Sequence, residues 1–380
     1  MKKIIISVFL VISMLFASIC GVYAAPAAST QITTVLVDGN VTIMNPMPQI
    51  ISNEVYFPVG SALTVMGVKA GSKSVKIGKA NADITVTKAD KKLYAKLNSK
   101  SATVNGKTVK LKAPMIVQKN VLYIPGELIG KFIGKKVIFS NKLKTVSVAG
   151  ENELKKVKAL LDEVEATMNK VNDYKFKLTM TMDMFMDMGT AKTSMSADGK
   201  VDVANKNSYT STKITTEAMG QSMDMDTEAY TINGVTYAKN PLTEEWESST
   251  QEDMGLSFMS GLFGESSEAA TDAAYVDVIN SSCKITTDKS GKITKISSSF
   301  LGKIISEGSL KDVFDGGKPS SIDATFEIDN ATKTITGMTM NFSGSINTQG
   351  VKMKFNAKFT MSIFDYNKGV TIEIPDELKD

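Results

Sequence analysis

The chain has 380 residues, 42% of them hydrophobic, with 44 basic and 40 acidic side chains and a formal net charge of +4. It contains no His and every basic residue is Lys, which excludes imidazole catalysis, His-ligated copper or zinc, and bidentate Arg capture of phosphate. Carboxylate-only glycosidases and Ser-Lys enzymes survive that filter, while the near-neutral balance favours neither nucleic acid nor an anionic membrane surface as a partner.

Met1-Lys2-Lys3, the apolar run Ile4 to Ile19 and the small residues up to Ala24 have the three-part layout of a secretory signal peptide, residues 1–24, cleaved near Ala24. The apolar core is short for a membrane span, so the mature chain is expected to be secreted or extracytoplasmic, without a transmembrane segment. Cys20 raises lipidation as an alternative, against which stands Ile19, too large for the position before a lipidated cysteine. After cleavage Cys283 is the one cysteine left, so stability has to come from buried apolar surface.

Residues 32–149 contain an internal duplication. Val37-Asp38-Gly39-Asn40-Val41 aligns with Val104-Asn105-Gly106-Lys107-Thr108 at an offset of 67. At the same offset, Asn53-Glu54-Val55-Tyr56-Phe57-Pro58 aligns with Asn120-Val121-Leu122-Tyr123-Ile124-Pro125, and Gly67 with Gly134. Each copy reads as a hairpin with an Asp-Gly or Asn-Gly turn, a strand ending in Pro, a helix closed by Gly, and two further strands. This pattern resembles the copper amine oxidase N-terminal-like domain, the accessory module of such enzymes. The Arg usual after the family's Leu-Val-Pro-Leu is missing in both copies, at Gly60 and Glu127.

From Glu151 the chain changes character. Leu154, Val157, Leu161, Val164, Met168 and Val171 form the apolar stripe of an amphipathic helix. Strands are predicted at 175–188, 192–203, 207–217, 221–232, 235–239, 284–288, 292–300, 321–329, 334–347, 351–364 and 370–374, punctuated by Gly, Asn or Asp turns. The strand pattern stops between Glu252 and Ser282, where the apolar residues Leu256, Phe258, Met259, Leu262 and Phe263 precede an Ala-rich helix at Glu268–Ile279. The helix, the long meander, the hairpin Tyr230-Thr231-Ile232-Asn233-Gly234-Val235-Thr236-Tyr237 and the ending Val370–Pro375 resemble the LolA/LppX-like lipoprotein-carrier superfamily over 151–380. That resemblance implies an antiparallel half-barrel cupping an apolar cavity that accepts lipid; the Leu256–Phe263 segment, apolar, Gly-flanked and without strand periodicity, is the lid expected from the residues themselves. The fold class expected for the whole chain is α+β.

Met180, Met182, Met184, Met186 and Met188 recur at period two, so a strand puts them on one face, and Met223 and Met225 continue the theme. Three readings compete: a core face filled by adaptable thioethers, a deformable wall for an acyl chain, and a soft Cu(I) site. The third needs sulfurs converging on one point, whereas same-face neighbours on a strand start ~7 Å apart. The acidic residues Asp183, Asp187, Asp224, Asp226 and Glu244-Glu245-Trp246-Glu247 read as solvated rather than as a glycosidase pair, and the Lys-rich tract 88–96 as a solvated edge strand. The expectation is a non-enzymatic protein without cofactor or metal. Its first module would attach to a cell-wall or other envelope component, and its second would bind a lipid or apolar small molecule. A purely structural surface protein with a solid β core is the alternative, and a Cu(I)-binding protein a more distant one.

Overall fold

The computed structural model describes residues 31–186, 189–233, 235–241, 243–249, 273–298, 300, 318–348 and 351–378. The signal-peptide and Cys20 readings, Asp187, Met188 and the segment Leu256, Phe258, Met259, Leu262 and Phe263 lie outside the described residues. The described chain divides into two compact units, one of residues 31–159 with 273–284, the other of 160–249 with 285–378.

In the first unit β1 (Thr34–Val37) and β2 (Asn40–Val41) form the first hairpin, followed by β3 (Gln49–Ile51), β4 (Glu54–Pro58) and helix α1 (Val59–Met66). Then come β5 (Val75–Ile77), β6 (Asp83–Lys88) and β7 (Lys91–Lys96). Copy two supplies β8 (Ser101–Val104), β9 (Lys107–Lys110), β10 (Ile116–Gln118), β11 (Val121–Pro125), α2 (Gly126–Ile133), β12 (Lys136–Ser140) and β13 (Thr145–Ala149). The duplication becomes a local two-fold: β4 and β11 pair antiparallel with Phe57 opposite Ile124, both fully buried, and α1 and α2 each start after Pro and end on a left-handed Gly67 or Gly134.

The copies also interlock. β1 of copy one runs parallel to β13 at the end of copy two, giving the sheet order β12-β13-β1-β2, while the hairpin β8-β9 of copy two joins the strands of copy one in a sheet ordered β5-β6-β7-β8-β9. The core contains Met66, Ile84, Leu93, Leu128 and Phe132, so each copy buries its apolar face against the other. One expectation is corrected here. The 88–96 tract is not an edge strand, because β7 is the middle strand of its sheet. Alternation alone cannot separate a central strand with one wet face from an edge strand.

A helix from far along the sequence, which we label α4 (Ala273–Ser282), completes this unit; residues 268–272 of the predicted helix lie outside the described residues. It packs on β12 and β13, with the Ser281 and Ser147 hydroxyls 2.5 Å apart and Lys142 5.2 Å from the centre of the Tyr275 ring. Lys284 hydrogen-bonds Asn40 in the first hairpin turn. Cys283, at the end of α4, is buried, and desolvation pushes its thiol up to about 12. Thiolate is the reactive form, so we expect iodoacetamide at pH 8 to label Cys283 only after the protein is unfolded. Labelling of native protein at the unfolded rate would contradict this burial.

The predicted amphipathic helix is α3 (Glu151–Met168), separated from β13 by Gly150 alone, and the boundary between the two units falls inside it. Leu154, Val157, Leu160 and Val164 are buried, while Leu161 and Met168 are half-buried. No helix among the described residues is long and apolar enough to cross a membrane.

The second unit is one curled, open, eleven-stranded sheet. β14 (Asp173–Met186), β15 (Gly189–Asp202), β16 (Asn207–Ala218), β17 (Gln221–Ile232), β18 (Val235–Lys239) and β19 (Trp246–Ser249) run outward in one direction. β20 (Lys284–Thr287), β21 (Ile293–Ser298), β22 (Lys318–Ile328), β23 (Ile335–Thr348) and β24 (Val351–Phe364) make the other half, and the halves join where β14 pairs antiparallel with β24. The predicted strand Val370–Ile374 does not form. β14 is paired on both sides, by β15 and β24, and the tail is held by scattered contacts rather than a ladder. Asn367 donates its backbone N–H to Asp173 O, Lys200 Nζ reaches Thr371 O at 3.4 Å, and Trp246 Nε1 donates to Glu377 Oε2 at 3.2 Å.

Candidate ligand-binding face of the half-barrel

On β14 the even-numbered residues from Tyr174 to Met184 point to the buried inner face and the odd-numbered ones to the outer face, as a pleated strand requires. Met180, Met182 and Met184 are 6%, 2% and 3% exposed. Met186 belongs to the strand, opposite Gly189. Register then extends this face across neighbouring strands. Met180 lies opposite Met195 on β15 and Phe359 on β24; Met195 opposite Ile214; Ile214 opposite Met225 on β17; and Phe359 opposite Met340 on β23.

This continuous row contains methionines that period-two counting on one strand cannot connect. Met338 faces Met361 across β23 and β24, both buried, and Phe342 meets the Phe355 ring edge-on at 6.1 Å. Met195 is the residue sequence reading missed: it stands alone among Ser, Ala and Asp, and only pairing with Met180 reveals its place.

Charge is sorted as cleanly as apolarity. On β14 to β17 and on β22 to β24, every charged residue stands at an outer-face position of the register. The inner face of β15 and β16 mixes in hydroxyls, Thr193 and Thr216 approaching to 3.3 Å. At β17 the same face reaches solvent: Met225 is half-buried and Met223 is 36% exposed.

Asp183, Asp224 and Asp226 stand on the outer face, where Asp224 accepts a 2.6 Å hydrogen bond from Thr215. Nearby, Tyr209 donates to Glu228 at 3.2 Å and stacks tilted on Tyr230, whose ring meets Trp246 edge-on at 5.6 Å. Burial, and secondarily the Glu228 carboxylate, holds both phenols above their ordinary range, so they stay neutral. Glu247 accepts from Asn240 in the hairpin between β18 and β19. Among the described residues no three His, Cys, Asp or Glu converge as metal ligands. With no His in the chain, these residues do not fit a copper amine oxidase centre.

Residues 36–148 match the copper amine oxidase N-terminal domain, bearing out the first resemblance, and residues 156–380 match a family of unknown function, DUF6612. Solved structures similar to the chain include LprF from Mycobacterium bovis, at 14% identity and a TM-score of 0.34 over 60% of this chain and 99% of that one. Another is the Mycobacterium tuberculosis lipoprotein LppX, at 13% identity and 0.31 over 58% and 99%. No curated protein matches the sequence.

Proposed function

The chain belongs to DUF6612, a family of unknown function, and from its geometry we propose an exported, non-enzymatic envelope protein whose half-barrel binds a lipid or other apolar molecule on its methionine-lined inner face. The first unit serves as the attachment module.

The observation that carries this reading is the sorting of the sheet faces together with the opening at β17. A face wholly committed to a solid core ends in covered side chains, whereas this one continues from buried Met180 and Met195 to exposed Met223. Thioether side chains, unbranched and polarizable, suit an acyl chain that can take many conformations. The segment of Leu256, Phe258, Met259, Leu262 and Phe263 remains the proposed lid.

The burial of Met180, Met182 and Met184 favours the second reading, a structural β-domain with a filled core. The third reading gains from the register too. Met180 opposite Met195, and Met338 opposite Met361, place thioethers on facing positions ~5 Å apart at Cβ, closer than neighbours along one strand. Native mass spectrometry of protein purified from its own host separates the three. We expect added mass that organic extraction removes and chelators do not. Mass released by a Cu(I) chelator would replace the lipid reading with the soft-metal one, and a bare polypeptide that also takes up no apolar probe would leave the structural one.

A further inference from the structure

Between Lys69 and Lys119 the sequence carries thirteen lysines against only Asp83 and Asp90. That stretch is therefore +11, while the whole chain is +4 and the remainder sums to −7. Self-repulsion of this size destabilises the folded state, so a surface that served only solubility would interleave acids.

The five-stranded sheet shows where the charge goes. Its inward positions, Ile84, Val86, Leu93, Ala95, Ala102 and Val104, are core. The opposite positions form a row across all five strands, Lys76, Thr85, Tyr94, Thr103 and Thr108, each opposite the next. Lys92 and Lys96 flank Tyr94 on the same face of β7, and Lys110 stands opposite Ser101. These four lysines are exposed, and none is in an ion pair among the described residues; Asp83, opposite Lys96, is the one acid among the strand positions of that face. Edge protection accounts for Lys76 and Lys110 on the edge strands β5 and β9, but not for Lys92 and Lys96, because β7 is central and both its neighbours are hydrogen-bonded to it.

We propose that this outer face binds a phosphodiester-linked, polyanionic polymer of the cell envelope. The inference rests on the reading of the first unit as the attachment module and names the partner class it takes. Strand spacing and pleat put the ammonium groups on a grid of ~7–10 Å. Lysines act as mobile point charges without the fork of Arg, so they match repeated charge along a flexible chain better than one phosphate in a fixed pose. The face offers no side chain that would enter an acyl layer, Tyr94 being half-buried in its row of threonines, which favours a polymer over a bilayer surface.

The test measures binding of the full mature chain to purified poly(glycerol phosphate), to peptidoglycan stripped of phosphate polymers, and to vesicles containing phosphatidylglycerol. Poly(glycerol phosphate) should bind best, with affinity falling steeply between about 50 and 200 mM salt as counterion release predicts. The combined variant Lys76→Gln, Lys92→Gln, Lys96→Gln and Lys110→Gln should lose at least about tenfold in affinity at the lower salt, with a melting temperature no lower than that of the wild type, since self-repulsion is relieved. Replacing the exposed half-barrel lysines Lys192, Lys213, Lys354 and Lys358 by Gln should leave binding intact. Equal losses in the two variants, or preferential binding to vesicles, would overturn the proposal. Binding to stripped peptidoglycan alone would retain attachment while removing the polyanion, and binding to none of the three would remove both.

Discussion

Met184→Glu is expected to yield a folded half-barrel that no longer takes up a fluorescent fatty acid. Met184 is 3% exposed, but its row on the inner face is short of side-chain volume: Ala191 lies opposite it on β15, Ala218 follows on β16, and on the other side Phe355 faces Gly344. If this is the wall of a ligand cavity, the carboxylate is hydrated there once lipid is absent, and what is lost is the apolar contact with the ligand. In a solid core the same carboxylate is an uncompensated buried charge costing about 3–5 kcal/mol. Val164→Glu is the internal reference, since Val164 is fully buried on α3 and its replacement should unfold the protein on either reading. Circular dichroism melts and probe titration on the same samples decide the matter. A Met184→Glu protein that melts like Val164→Glu, beside a wild type that takes up no probe, would leave a structural β-domain.

A large difference is also expected between two glycines the duplication makes equivalent. Gly39 and Gly106 occupy the second turn position of their hairpins at φ of 73° and 78°, with Asp38 and Asn105 also left-handed before them. A methyl group on either costs about 1–2 kcal/mol of backbone strain. Around Gly106 there is open space, whereas a Cβ on Gly39 would lie 3.1 Å from Ser282 O and 3.2 Å from Ser281 O, at the end of α4. Gly39→Ala should therefore cost a further 1–3 kcal/mol, roughly what overpacking of a close contact costs, because backbone has to move. Urea unfolding of the two variants measures the difference. Equal destabilisation would mean that α4 yields freely and is not seated on the first hairpin.

Much of the first unit was legible because its signals are local. Asp38-Gly39 and Asn105-Gly106 demand left-handed hairpin turns, Pro58 and Pro125 end strands and start helices, and Gly67 and Gly134 close them. What could not be read was the exchange of partners between copies, since Val35 pairing with Val146 is a contact over more than one hundred residues with no local trace. The same limit hid α4. Ala273–Ser282 is recognisably helical, but nothing within those ten residues says that their partner is β13 rather than a neighbouring strand.

In the half-barrel the period-two pattern determined the long strands, their turns and the common face of Met180, Met182 and Met184. These follow from the pleat, which any strand shares. Register decided the rest. A shift of one residue would have moved Met195 to the outer face, and Met338 beside Met361 depends on where β23 meets β24. The tail shows tertiary structure overriding a fair local pattern: Val370–Ile374 alternates as a strand should, yet it pairs with no strand of the sheet. The basic face shows the converse. Its lysines were visible as residues, and only the sheet order, with β7 in the middle, turned a presumed solvated edge into a charged surface, because neighbours in a sheet are set by pairing energies summed over the whole fold.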